Sequence, residues 1–176
     1  DGYQGMYEIT RFVLEMGHRE IAYIGGPSEA PNSMYRYAGF EQALKNFGLN
    51  LDKELIVEGN YKISGGREGV LELLSKGRDF TAVVCANDLM AIGAMEELKD
   101  AGFRIPEDIS ITGFDDIPMA RYVEPKLTTV AQPCYQMGEM ATELLIKLIE
   151  GKPVKNAVIT LKPELIVRDS VKRVIQ

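Results

Sequence analysis

"TAVVCANDLMAIGAMEELKDAG", residues 81–102, decides the reading of the fold. Its first six residues are an unbroken apolar run, which fits a strand buried on both faces, as in parallel sheets covered by helices. Asn87 and Asp88 interrupt that run, and helical spacing takes over across 88–101. A strand passing straight into a helix is half of a βαβ unit. On a helical wheel, Met90, Ala91, Ala94, Met95 and Leu98 form the arc that packs on a sheet, with Glu96, Glu97, Lys99 and Asp100 opposite. Leu89 and Ile92 fall among the polar residues, so both are expected to face water and to mark a contact with a partner.

The same alternation extends outward on both sides. Residues 3–16 read as a helix, with Met6, Ile9, Val13 and Met16 at helical spacing, Asp1 able to cap and Gly17 ending the run. "EIAYI" (20–24) reads as a strand, 34–48 as a helix stopped by Gly48, "LIVEG" (55–59) as a strand and 65–77 as a helix. "ISITGF" (109–114) is the next strand. Four strands alternating with three helices predict an α/β fold, a doubly wound parallel sheet with right-handed crossovers. Beyond it come strand "LTTVAQ" (127–132) and an amphipathic helix at 135–150. There Met137, Met140, Ala141, Leu144, Leu145, Leu148 and Ile149 keep one face, and Gly151 with Pro153 ends it. "AVITL" (157–161) and "ELIVRD" (164–169) are expected as strands joined around Pro163. The opening helix has no strand before it, and 135–150 and 157–161 lack neighbours in the 20–114 sheet. These pieces are expected to belong to a second lobe that is mostly outside this stretch.

Composition narrows the function. At 176 residues, 45% apolar and 26% charged, the chain can bury the core of one α/β domain. Its net charge of −6, with no Lys/Arg cluster, makes it a poor nucleic-acid binder by itself. Cys85 and Cys134 fall at apolar positions without metal-like spacing and read as buried thiols of a reducing compartment. His18 is the only histidine, which removes most zinc sites and the Ser/His/Asp and Cys/His nucleophile systems. No apolar run approaches the ~18 residues of a membrane span, and no signal peptide is expected. "IGGPSEAP" (24–31) is a Gly-rich loop after a strand, but it lacks G-x-G-x-x-G and G-K-[ST]. No metal, cofactor or catalytic activity is expected.

In open α/β sheets ligands sit beyond the carboxyl ends of the strands. Strand 20–24 leads to Arg36, strand 55–59 to Tyr61 and strand 81–86 to Asn87 and Asp88. Strand 109–114 leads to Asp115 and Asp116, and strand 127–132 ends at Gln132. These residues converge on one rim although they are far apart in sequence. Arg, Asn, Asp and Gln offer fixed donors and acceptors suited to a neutral ligand with paired hydroxyls, and Tyr61 offers a ring to stack on it. A sugar fits best and a purine second. Each residue also has a structural reading: Asn87 or Asp88 as a helix cap, Asp115 and Asp116 as caps of a turn at 116–121, Arg36 as an ion-pair partner, Tyr61 as rim packing.

"GHREIAYIGG" (17–26), "RYAGFEQAL" (36–44), "ANDLMAIGAMEELKDAGFRIPEDISITGFDD" (86–116), "PKLTTVAQP" (125–133) and "LKPELIVRDS" (161–170) strongly resemble the effector-binding core of LacI/GalR-type transcription regulators. The resemblance implies two Rossmann-like lobes, as in periplasmic sugar-binding proteins, with the effector between them. It places Arg36, Asn87, Asp115 and Gln132 at effector-contact positions and Tyr61 at the aromatic stacking position. It implies that 20–131 and 162–176 form the C-terminal lobe and that 1–19 and 132–161 are parts of the N-terminal lobe. The helix-turn-helix headpiece that reads operator DNA is expected outside this stretch. Members of the family are cytoplasmic homodimers. They pair through the 88–101 helix and the segment 117–125, here Leu89, Ile92, Met119, Tyr122 and Val123. Family members that answer to a phosphocarrier protein tend to lose the arginine found here as Arg36, so its presence favours a small effector. A sugar-binding protein of a transporter, and a purine- or phosphocarrier-responsive regulator, are the alternative expectations.

Overall fold

The computed structural model describes residues 1–154 and 158–174. The first helix, α1 (Gly2–Glu15), is capped by the Asp1 carboxylate, which accepts the Gln4 N–H at 2.9 Å. The apolar run 21–25 forms β1 (Ile21–Gly25), followed by α2 (Pro31–Asn46), with proline at its first position. Next come β2 (Ile56–Glu58), α3 (Ile63–Ser75), β3 (Ala82–Cys85), α4 (Asp88–Asp100) and β4 (Ser110–Thr112). All four strands are parallel, in the order β2-β1-β3-β4. The chain therefore leaves β1 toward one edge and returns on its other side at β3, so the carboxyl ends of β1 and β3 flank the point where strand order reverses.

Strand alternation sends neighbouring side chains to opposite helical layers. Tyr23 meets Phe40 (ring centroids 4.6 Å apart) and Tyr37 of α2, whereas Ile24 lies against Gly69 of α3. Helices thus cover both faces, as the sequence predicts, and β1 and β3 are fully buried.

Past β4, a 3-10 turn (Pro118–Arg121) leads to β5 (Thr129–Ala131) and α5 (Cys134–Ile149). Strand β6 (Glu164–Ile166) then pairs antiparallel with β5. Residues 167–174 stitch the lobe together. Ser170 Oγ donates to the Ile111 carbonyl and accepts the Thr128 N–H, and the Val174 N–H donates to the Met16 carbonyl at 2.8 Å.

Four expectations are corrected. Helix α1 does not stand apart as a piece of another lobe: Met6, Ile9 and Val13 are fully buried in the common core and α1 packs on α2. An amphipathic helix needs a cover, and α2 provides one without a preceding strand. Residues 158–161 form no strand, and Ala157 lies outside the described residues. Cys134 is exposed, because none of the residues of α5 is buried; Cys85 is buried as expected. Ile92 is only 4% exposed and Leu89 is half-buried, so Ile92 does not face water. The helical wheel allowed α4 one covered arc, but the sheet and α3 both pack on it. The second contact is close: a Cβ on Gly93 would stand 2.0 Å from the Ile63 carbonyl oxygen of α3. Met119 and Tyr122 are exposed, and Val123 is half-buried against the core.

Candidate functional site

Arg36 projects from the first turns of α2 toward the switch point and is 7% exposed. One terminal nitrogen donates to the Ala86 carbonyl at the end of β3. The other donates to Asp115 Oδ1 at 3.0 Å, and the guanidinium lies 4.0 Å above the Phe114 ring. Its Nε is buried with no partner among the described residues. Gln132 reaches the same Asp115 oxygen from the end of β5, donating through Nε2 at 2.7 Å. Burial pushes the Asp115 carboxyl above the usual carboxylate range, against the opposing pull of Arg36 and the Gln132 bond.

Asn87 does two jobs. Its side-chain oxygen accepts the Met90 N–H at 3.0 Å, capping α4, and its amide nitrogen donates to the Tyr61 carbonyl at 3.0 Å. Tyr61 takes a left-handed φ of 63°, and its hydroxyl is 2.6 Å from Ser33 Oγ. Its ring occupies the space over Gly26, where a Cβ would come within 2.1 Å of it. Gln132, Asp115, Arg36, Ala86, Asn87, Tyr61 and Ser33 therefore form one continuous rim, which brings together the five residues expected to contact the effector.

The neighbouring Asp116 turns away. Its two oxygens accept from Arg168 (2.5 Å) and Arg121 (3.0 Å). Burial pushes this carboxyl up, but those two bonds outweigh it and hold it below the usual range. Sequence reasoning missed Ser33, although a hydroxyl three residues before Arg36 shares its helix face. It also gave Phe114 no role under the guanidinium, and read Asp88 as a rim residue or a helix cap rather than an interior anchor. Among the described residues, no three of His, Cys, Asp and Glu converge to hold a metal ion, and no helix is long and apolar enough to cross a membrane. Beside Gln132 a cleft of about 870 Å³ opens between Phe114, Pro163 and the apolar face of α5, including Met137, Met140 and Leu144.

Residues 10–171 match the family described as the periplasmic binding protein-like domain. The chain belongs to the periplasmic binding protein-like family. Among relatives of this domain, the HTH-type transcriptional repressor PurR of Vibrio vulnificus is 39% identical over 171 residues, which cover 97% of this chain and 51% of that protein. The HTH-type transcriptional repressor CytR of Escherichia coli is 36% identical over 170 residues, 97% of this chain and 50% of that one. A LacI-family regulator from Enterococcus faecium, solved with bound ribose, superimposes with a TM-score of 0.90 at 33% identity, over 99% of this chain and 65% of that one. The chain thus spans about half the length of the curated relatives it matches. The solved structures it resembles include regulators described as LacI-family proteins.

Proposed function

We propose that the chain is the effector-sensing part of a LacI/GalR-type transcriptional repressor, a binding module rather than an enzyme. Its effector is a sugar or a similar polyhydroxy molecule, held by Arg36, Asn87, Asp115 and Gln132 with Tyr61 as the aromatic wall. The observation that carries this reading is Arg36: a buried guanidinium, fixed on three sides, with one donor unused at a strand switch point. Ribose bound in the Enterococcus faecium regulator supports a sugar over a purine. The open apolar face of α5 supports assigning residues 132–161 to a second lobe that completes the cleft. On this reading the protein is a cytoplasmic homodimer, pairing through Leu89, Met119, Tyr122 and Val123 with Ile92 beneath them. Operator DNA is bound by a headpiece outside these residues.

Calorimetry on the protein with both lobes, against pentoses, hexoses, disaccharides and purines, tests the reading. A sugar response is expected, and tight purine binding without one would overturn it. Asp115→Asn should weaken sugar binding by about 1.5–3 kcal/mol, the range for a hydrogen bond to a charged group, and change stability far less. If the melting temperature falls while affinity holds, Asp115 is a structural cap.

A further inference from the structure

Asp88 opens α4 and is fully buried, yet the effector reading does not use it. Its backbone N–H donates to the Phe114 carbonyl at 2.8 Å, and its Oδ2 accepts the Ile117 N–H at 2.8 Å. One residue thereby grips both ends of the turn 114–117. Its Oδ1 accepts the Thr129 hydroxyl at 2.5 Å, tying the turn to β5 as well. Inside the turn, Asp115 and Asp116 have φ of 118° and 54°. Side-chain-bearing residues rarely adopt such angles, which persist only where the surroundings enforce them. Space is kept for the carboxylate, since a Cβ on Gly113 would stand 2.3 Å from Asp88 Oδ1. The turn runs directly into Pro118–Arg121, where Met119, and Tyr122 just after it, are exposed.

We propose that Asp88 is the positioning residue of the rim: its carboxylate locks the 114–117 turn so that Asp115 meets Arg36 and Gln132, and couples that turn to the exposed surface at Met119 and Tyr122. The functional meaning rests on reading Asp115 as an effector contact. Asp115 and Asp116 face the carboxylate from the turn, and Cys85 faces it from β3. Arg36 of α2 is paired to Asp115, and Arg121 and Arg168 are paired to Asp116. From β5 the neutral Thr129 faces it. An ionised carboxylate is the stronger acceptor for both donors. Burial pushes Asp88 up to about 7, and the Thr129 and Ile117 bonds pull against that rise, as donors held on a carboxylate do.

Amide hydrogen exchange of the chain at pH 8, normalised to the exchange of unstructured peptides, tests this. The comparison uses the wild type, Asp88→Asn and Thr129→Val. Wild-type protection over 114–122 should exceed that of both variants, while β1 and β3 hold theirs. Asp88→Asn should lose about tenfold of that protection, the scale of one charge-assisted hydrogen bond. Thr129→Val, which removes a single donor, should lower protection in the same segment. Unchanged protection in Asp88→Asn, or a loss spread evenly over the sheet, would overturn the proposal. Because no sugar is present in this measurement, a failure of effector binding is read separately, by calorimetry.

Discussion

Helices α4 and α5 each carry a run of Leu, Ile, Met and Ala, yet eight residues of α4 are buried and none of α5. Helix α5 has the cleaner stripe, Met137 to Ile149 on one side, and it is the one left open. Helix α4 lacks a clean stripe because the sheet and α3 both cover it. A strong single stripe therefore reports one missing cover, whereas a blurred pattern rich in small residues reports two covers already present.

The comparison breaks most visibly at Ile92 and Tyr122. Ile92→Asp places a charge where 4% of the side chain's surface reaches solvent, and should cost more than about 3 kcal/mol in a denaturant melt. Tyr122 is 86% exposed, so Tyr122→Asp should change stability by less than about 0.5 kcal/mol. If the surface pairs two copies, that variant should sediment as a monomer where the wild type sediments as a dimer. A wild-type melt for Ile92→Asp would mean that α4 is not covered as described.

A smaller contrast uses one glycine from each helix. Gly93→Ala must push against the Ile63 carbonyl, and should destabilise by about 1–3 kcal/mol. Gly138 of α5 has nothing within 4 Å of its absent Cβ, so Gly138→Ala should stabilise by up to about 1 kcal/mol through helix propensity. Should Gly138→Ala destabilise instead, α5 has a cover after all.

A pH dependence arises at the start of α4. Asp88 is raised in the folded state to about 7 from an ordinary 3.8, so the folded chain holds a proton that the unfolded chain has released between those values. This contribution to stability is full below the lower value and is lost as pH rises toward the upper one. Thermal melts across pH 4–8 should show stability falling with pH in the wild type and a flatter profile in Asp88→Asn.

The alternation of apolar runs with helical spacing made the sheet and its helices legible, because β1 and β3 are covered on both faces and tolerate little else. The rim was legible for a different reason: polar residues directly after buried strands are placed by topology, so Arg36, Tyr61, Asn87, Asp115 and Gln132 could be gathered without knowing their partners. Contacts set by tertiary packing were not legible. Ile92 sits on a polar arc of the wheel, yet tertiary packing leaves it only 4% exposed. Asp88 looks like any acidic residue in a first helical turn, and only the return of 113–117 and Thr129 makes it an interior anchor. Asp115 and Asp116 are chemically identical neighbours; Arg168, more than fifty residues on, tells them apart.

That dependence on residues 164–174 has a consequence in time. As a ribosome makes the protein, residues 2–16 emerge before Val174, the partner of Met16, which follows roughly ten to thirty seconds later. Until then the nascent lobe lacks β6, the Ser170 bridge and the Arg168 grip on Asp116. Half-made chains would carry a sheet but no set rim, so the rim is complete only on a finished lobe.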